Sequence, residues 1–215
     1  MSSQQPRQRA VQQRAEDTKE AILAAAVELF STRGFDGVSI RAIEGASGTK
    51  RGLVNYHFSD KEGLWRAVVD RVFDDGWGED ERSRALQDLD HEAQIRAQLT
   101  EFVRYSALRP ELSRLIIQEG KARTWRLEYM VSHYVRPRLA SFERLLGHSV
   151  DAHTLYAFLG AATLVFDVEA ECESLFGFNP RGEAFIEEHA RRVCNMVLAT
   201  LRAARSEGGA QAEDA

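Results

Sequence analysis

The sequence predicts an all-α fold on three observations: apolar residues recur at helical spacing through most of the chain, no stretch sustains period-2 alternation, and Gly and Pro interrupt it seldom. The first helix is signalled by Ile22, Ala25, Ala26, Leu29 and Phe30 at i, i+3, i+4, i+7, i+8. Asp17 and Glu20 stand before it at capping-box spacing, and Gly34 is placed to stop it. Ser39 is the expected N-cap of a short second helix that ends near Ser47-Gly48, with Val38 positioned to staple onto Ile43. A third short helix is expected over about Lys50 to Tyr56. Ser59 and Glu62 have the spacing of another capping box, opening a fourth helix whose buried face is Leu64, Trp65, Val68, Val72 and Phe73.

Beyond a Gly- and acid-rich joint at residues 74–82, helices are expected at about 92–108, 111–121, 124–146, 152–174 and 182–204. Pro137 should kink or divide the third of these. The organisation that follows is a disordered leader at 1–15, a three-helix helix-turn-helix domain at 16–62, a helical bundle at 63–205, and a flexible tail at 206–215.

The chain has 215 residues, 44% hydrophobic and 28% charged, ordinary values for a globular protein. No uncharged apolar run spans a bilayer and the basic start leads into no signal-type apolar core, so no membrane partner and a cytoplasmic location are expected. Cys172 and Cys194 lie far apart, outside any C-x-x-C pattern, and read as idle buried thiols. The six histidines form no H-E-x-x-H, and there is no phosphate-binding glycine loop or nucleophile elbow. An enzyme, a metal and a cofactor are therefore not expected. The net charge of −5 hides a split: residues 1–66 hold ten Lys and Arg against eight Asp and Glu, net +2, which leaves −7 for the remainder. A mildly basic head on an acidic body permits a nucleic-acid-contacting end.

Phe35-Asp36-Gly37-Val38-Ser39-Ile40-Arg41-Ala42-Ile43, then Gly48, Gly52, His57-Phe58 and Lys61-Glu62-Gly63-Leu64, resembles the DNA-binding signature of the TetR family of bacterial transcriptional regulators. The likeness covers roughly residues 17–75. It implies a reading head followed by a helical ligand-binding and dimerisation domain. The chain departs from the usual pattern at Glu44, where an Ala is common, at Ser47-Gly48-Thr49-Lys50, where Ala-Gly-Val-Ser is common, and at Asn55, where an aromatic is common. Lys50 takes the place of the usual cap serine and Thr49 offers a hydroxyl one position earlier, so the first residue of the recognition helix is open by one.

The chemistry agrees with the resemblance. A short helix enters the major groove, about 12 Å wide, when its outward face carries groups that meet base edges and phosphates. Arg51 suits guanine, Asn55 adenine and Leu53 a thymine methyl. Ser39, Arg41, Lys50, Tyr56, His57 and Lys61 complete the expected contacts; of these Tyr56, His57 and Lys61 suit phosphates, as donors that position without specifying. In the bundle, Phe102, Tyr105, Trp125, Tyr129, Phe158 and Phe166, with the polar Gln118, Glu119 and His133, are the candidates for an effector site, although an aromatic stripe at helical spacing also serves as plain core. The last two helices are expected to form a homodimer interface.

The expected function is a ligand-responsive regulator, a repressor that binds a palindromic double-stranded operator as a dimer and is released by a small organic effector. Two other classes remain: a small-molecule or lipid carrier, which would show no salt-dependent DNA binding, and an effector-less architectural DNA-binding protein, which would have a filled bundle.

Overall fold

The structure is a computed structural model, described here for residues 4–74, 86 and 88–213. It is all-helical, with no strand among those residues. Helix α1 runs Gln4–Arg33, α2 Ile40–Ala46, α3 Leu53–Phe58 and α4 Lys61–Asp74. Then come α5, His91–Leu108; α6, Glu111–Glu119; α7, Trp125–Met130; a π-helical turn, Val131–Val135; α8, Arg136–Leu146; α9, Ala152–Asp167; α10, Glu169–Phe176; and α11, Glu183–Glu213.

Two compact units emerge. The first holds α1 to α4 together with Arg114–His133; the second holds α5, its continuation to Ser113, and everything from Tyr134 onward. A division at residue 62 passes through the first turn of α4, which packs on α1 and α3 and so groups with the head.

The core of the first unit is the stripe the sequence announced. Ile22, Ala26 and Phe30 on α1, and Leu64, Trp65, Val68, Val69 and Val72 on α4, are fully buried, and Val38, Ile43, Val54 and Phe58 bring α2 and α3 onto them. Gly34, at φ 72°, ends α1 with its amide on the Phe30 carbonyl, a backbone conformation that a side chain would strain.

In the second unit α5 packs on α11 and α9. Arg181 is its main polar strap, donating to the Glu169 carboxylate and to the carbonyls of Ala107 and Phe166. Cys172 and Cys194 are both buried and unpaired; burial pushes the Cys194 thiol up, partly offset by its contact with the Thr100 hydroxyl.

Several expectations are corrected. The described part of the 1–15 leader is helix, because Gln, Arg, Ala and Glu propagate a helix without an apolar face and Pro6 lies in its first turn. Asp17 is consequently inside α1, bonded to Gln13 at 2.8 Å, rather than a cap. At the other end α11 continues through the expected tail to Glu213, adding one bond per residue to a helix already anchored by packing. The 124–146 helix is divided, as Pro137 suggested, with the π turn just before it. The 152–174 helix breaks at Val168. The joint at 74–82 falls, beyond Asp74, outside the described residues.

Candidate nucleic-acid interface

Helix α2 begins as expected: the Ser39 hydroxyl oxygen accepts the Ala42 amide at 3.1 Å. The turn that follows carries two left-handed glycines, Gly48 at φ 65° and Gly52 at φ 90°. Neither of the two candidate residues starts α3. Its first residue is Leu53, three positions after Lys50, and its N-cap Gly52 has no side chain to cap with. The Thr49 hydroxyl is engaged instead with that of Ser47 at 2.8 Å.

The missing cap comes from α2. Glu44, only 6% exposed, places Oε1 2.6 Å from the Gly52 amide, which donates to it. The Glu44 main-chain carbonyl accepts from the Thr49 amide at 3.1 Å and from the Ser47 hydroxyl at 3.2 Å. The signal in the sequence was an acid at a position facing the turn, eight residues ahead of a glycine.

On α3, Val54 and Phe58 are buried, while Asn55 and Tyr56 are exposed, Tyr56 at 78%. Leu53 and His57 are half-buried, and the His57 ring meets Tyr56 edge-on at 5.0 Å. Arg41 is exposed on α2, and Lys50 and Arg51 are exposed in the turn just ahead of α3, not on it. Lys61, expected as a phosphate donor, is half-buried, with Nζ 4.2 Å from the centroid of the Phe35 ring. The cap of α4 is also shifted. Asp60 Oδ1 accepts the Gly63 amide at 2.7 Å, while Ser59 adopts φ 68°.

The residues expected to line an effector site divide between the two units, and none of them lines the two cavities found in the second. In the first, Gln118 donates to the Ser31 carbonyl at 2.7 Å and buried Glu119 accepts from Arg126 at 2.8 Å. Trp125 meets Phe35 and Trp65 edge-on at 5.8 and 5.2 Å, the Tyr129 hydroxyl donates to Asp70 at 2.7 Å, and His133 stacks on Tyr129 at 4.2 Å. In the second, Phe102 packs on Phe158 at 5.3 Å, Phe166 meets His189 at 5.4 Å, and Phe102, Tyr105 and Phe166 are core. Periodicity marked these positions as inward-facing; Phe102, Tyr105, Glu119 and Phe166 are buried, Gln118, Trp125, Tyr129 and Phe158 are half-buried, and His133 is exposed. Two cavities in the second unit lie elsewhere, between α5 and α11. One of about 270 Å³ is lined by Arg96, Thr100, Arg104, Glu187, Arg191 and Cys194; the other, about 70 Å³, includes Ile95 and Leu198. Among the described residues no group of three His, Cys, Asp or Glu is placed to hold a metal ion, and no helix is long and apolar enough to cross a membrane.

Residues 22–68 match the model of the family described as bacterial regulatory proteins, tetR family. The chain is similar to the transcriptional repressor AcnR of Corynebacterium glutamicum, at 36% identity over 53 residues, 25% of this chain and 28% of AcnR. It is similar to the regulatory protein RaaS of Mycobacterium tuberculosis at 36% over 100 residues, 46% of this chain and 45% of RaaS. The matched part thus spans less than half the length of either curated relative. Among solved structures, the hemolysin II transcriptional regulator HlyIIR aligns with a TM-score of 0.63 at 21% identity, covering 85% of this chain and 97% of that one. AibR in complex with isovaleryl coenzyme A and operator DNA aligns with a TM-score of 0.62 at 19% identity, covering 83% and 97%. These likenesses show the shared fold.

Proposed function

We propose, from the match of residues 22–68 to the model of the tetR family of bacterial regulatory proteins, that the chain is a DNA-binding transcriptional regulator of that family, acting as a repressor. The observation that carries this reading is the exposure of Arg51, Asn55 and Tyr56, at and just ahead of α3, while Val54 and Phe58 anchor the helix from beneath. Arg51 and Asn55 read base edges; Ser39, Arg41, Lys50, Tyr56 and His57 hold phosphates. Leu53, half-buried, rests against a thymine methyl, and Lys61 reaches a phosphate from its seat on Phe35. Residues 16–62 with the rest of α4 are the reading head, and the later helices carry dimerisation and response.

Two copies joined through α9 and α11 place their recognition helices about 34 Å apart, one turn of a palindromic duplex. The exposed Tyr156, Leu164, Val168 and Met196 support that assignment of the interface. A small organic effector that favours another spacing lowers operator affinity by its differential binding to the two states. The fold likeness to AibR, solved with an acyl coenzyme A and operator DNA, supports both kinds of partner.

The test is binding to a duplex selected from a random pool, followed by fluorescence anisotropy across a salt series. The expected result is sequence preference and a log affinity that falls linearly with log salt as phosphate contacts release counterions. Salt-indifferent binding, or none above random duplex, would sink the reading.

A second reading, an effector-independent regulator of the same fold, is favoured by one observation: Gln118, Glu119 and Tyr129 already spend polar groups on Ser31, Arg126 and Asp70. A screen of organic acids and acyl coenzyme A esters for release from the selected duplex separates the two. Release by any of them favours the first reading.

A further inference from the structure

Helix α3 has six residues, fewer than two turns, and an isolated helix of that length has no stability of its own. Its orientation must therefore be imposed from outside. Two of the contacts that impose it are apolar, through Val54 and Phe58. Apolar burial is non-directional, so it holds the helix down without fixing how it rotates or where it begins. Directional bonds are needed for that: the Leu53 amide donates to the Lys50 carbonyl at 3.3 Å within the turn, and those that tie the turn back to α2 centre on one residue.

Glu44 grips both ends of the turn between α2 and α3. Its carbonyl holds Ser47 and Thr49 on the near side, and its carboxylate holds the Gly52 amide on the far side at 2.6 Å. In a capping box an acid within the helix reaches back to the N-cap amide; here an acid from the preceding helix fills that place. The bond is charge-assisted and nearly removed from water, and the negative charge sits at the favourable end of the α3 dipole. Arg51 and Asn55 flank the gripped amide, one on each side.

We propose that Glu44 is a positioning residue for sequence discrimination: it contacts no base, but its bond to Gly52 fixes the start and rotation of α3, so that Arg51 and Asn55 meet base edges in one register. This rests on the DNA-binding reading above. Phosphate contacts tolerate small rotations because they are electrostatic and flexible, whereas bidentate base contacts do not. Loss of the bond therefore lowers operator affinity and leaves random-duplex affinity nearly unchanged.

The test compares the wild-type protein with Glu44→Ala, Glu44→Gln and Glu44→Asp. Each is measured on the selected duplex and on a random duplex, and the Gly52 amide is followed by nitrogen-15 NMR of the DNA-free protein. Glu44→Ala should lose about tenfold on the selected duplex, the scale of a lost cap, with little change on the random one. Glu44→Gln keeps an oxygen acceptor at the same reach and should restore most of the ratio; Glu44→Asp, one methylene short, should not. The Gly52 amide proton should move upfield and exchange faster in the Ala and Asp variants only.

An unchanged selected-to-random ratio in both Ala and Asp variants overturns the proposal. So does an equal loss on both duplexes in all three variants, which would mark Glu44 as merely structural. If Glu44→Ala does not fold, the Gln and Asp pair carries the same comparison. A wild-type protein that discriminates no duplex would defeat the DNA-binding reading itself, and the Gly52 amide would still report whether the cap exists.

Discussion

On α3 the exposed side chains are Asn55 and Tyr56, while on α9 they include Tyr156 and Leu164, at 71% and 56%, with Val168, at 36%, just past its end. Both helices bury the opposite face: Val54 and Phe58 in the first case, Ala162 and Phe166 in the second. Periodicity accounts for the buried faces alike and says nothing about the outward ones. The polar surface of α3 suits a charged, hydrated polymer. The α9 surface repeats every four residues through Tyr156, Gly160 and Leu164, and Gly160 has no neighbouring atom within 4 Å of where a Cβ would stand. Such a stripe suits the close approach of another apolar helix.

The strongest way to break this contrast is to charge the apolar face. Leu164→Arg should leave the monomer folded, because the side chain is exposed, but weaken the proposed dimer by about 3–5 kcal/mol, the cost of an unpaired buried charge. Sedimentation over a concentration series reads this directly; an unshifted dimer would move the interface elsewhere.

Trp125→Ala comes next. Its edge contacts with Phe35 and Trp65, and the Arg66 guanidinium 4.9 Å from its ring, make it part of the packing of the first unit. Urea unfolding should show a loss of about 2–3 kcal/mol. A loss of induction with stability intact would restore its expected role as an effector contact.

On the polar face, Arg51→Ala and Asn55→Ala should each relax preference at particular base pairs by about 1–3 kcal/mol, whereas Lys61→Ala should weaken all duplexes nearly equally. Quantitative binding to single-base variants of the selected duplex distinguishes them. Altered base preference on removing Lys61 would contradict the division into reading and positioning groups.

The smallest expected effect is a pH dependence in the second unit. Burial against Phe166 and Phe185 holds the His189 imidazole below its ordinary range, partly offset by the backbone of Ala161 and Ala162. The unfolded chain then takes the proton more readily than the folded one. Stability from this group is present above about pH 6.5, the unfolded-state value, and declines as pH falls through it until the folded state also protonates. Thermal melts of wild type and His189→Gln between pH 5 and pH 8 should diverge on the acid side. Parallel curves would mean that His189 is solvated.

Much of the fold was legible because its cues are local. Gly34 and Ser39 bound their helices where the sequence placed them, and the α4 stripe from Leu64 to Phe73 is buried as expected. What was illegible depends on partners distant in sequence. The start of α3 could not be found from Thr49 or Lys50, since its cap is Glu44. Gln118 and Tyr129 read as free polar groups only until Ser31 and Asp70 come within reach, 87 and 59 residues away. The helical leader escaped for a different reason: it is exposed on every described side from Gln8 to Arg14, and a helix without an apolar face leaves no period to detect.

On the proposed DNA-binding reading, Gly52 also decides how readily the head can be retargeted. At φ 90° any side chain there is strained even though nothing crowds the position, so the tolerance of a randomised library at residue 52 is set by backbone conformation and not by space. Residues 50, 51, 55 and 56 are exposed and free of that restriction. Under the proposed DNA-binding reading the head therefore separates an alphabet from its frame: base preference can drift through residues 51 and 55 while the glycine, and the turn it permits, stays constant.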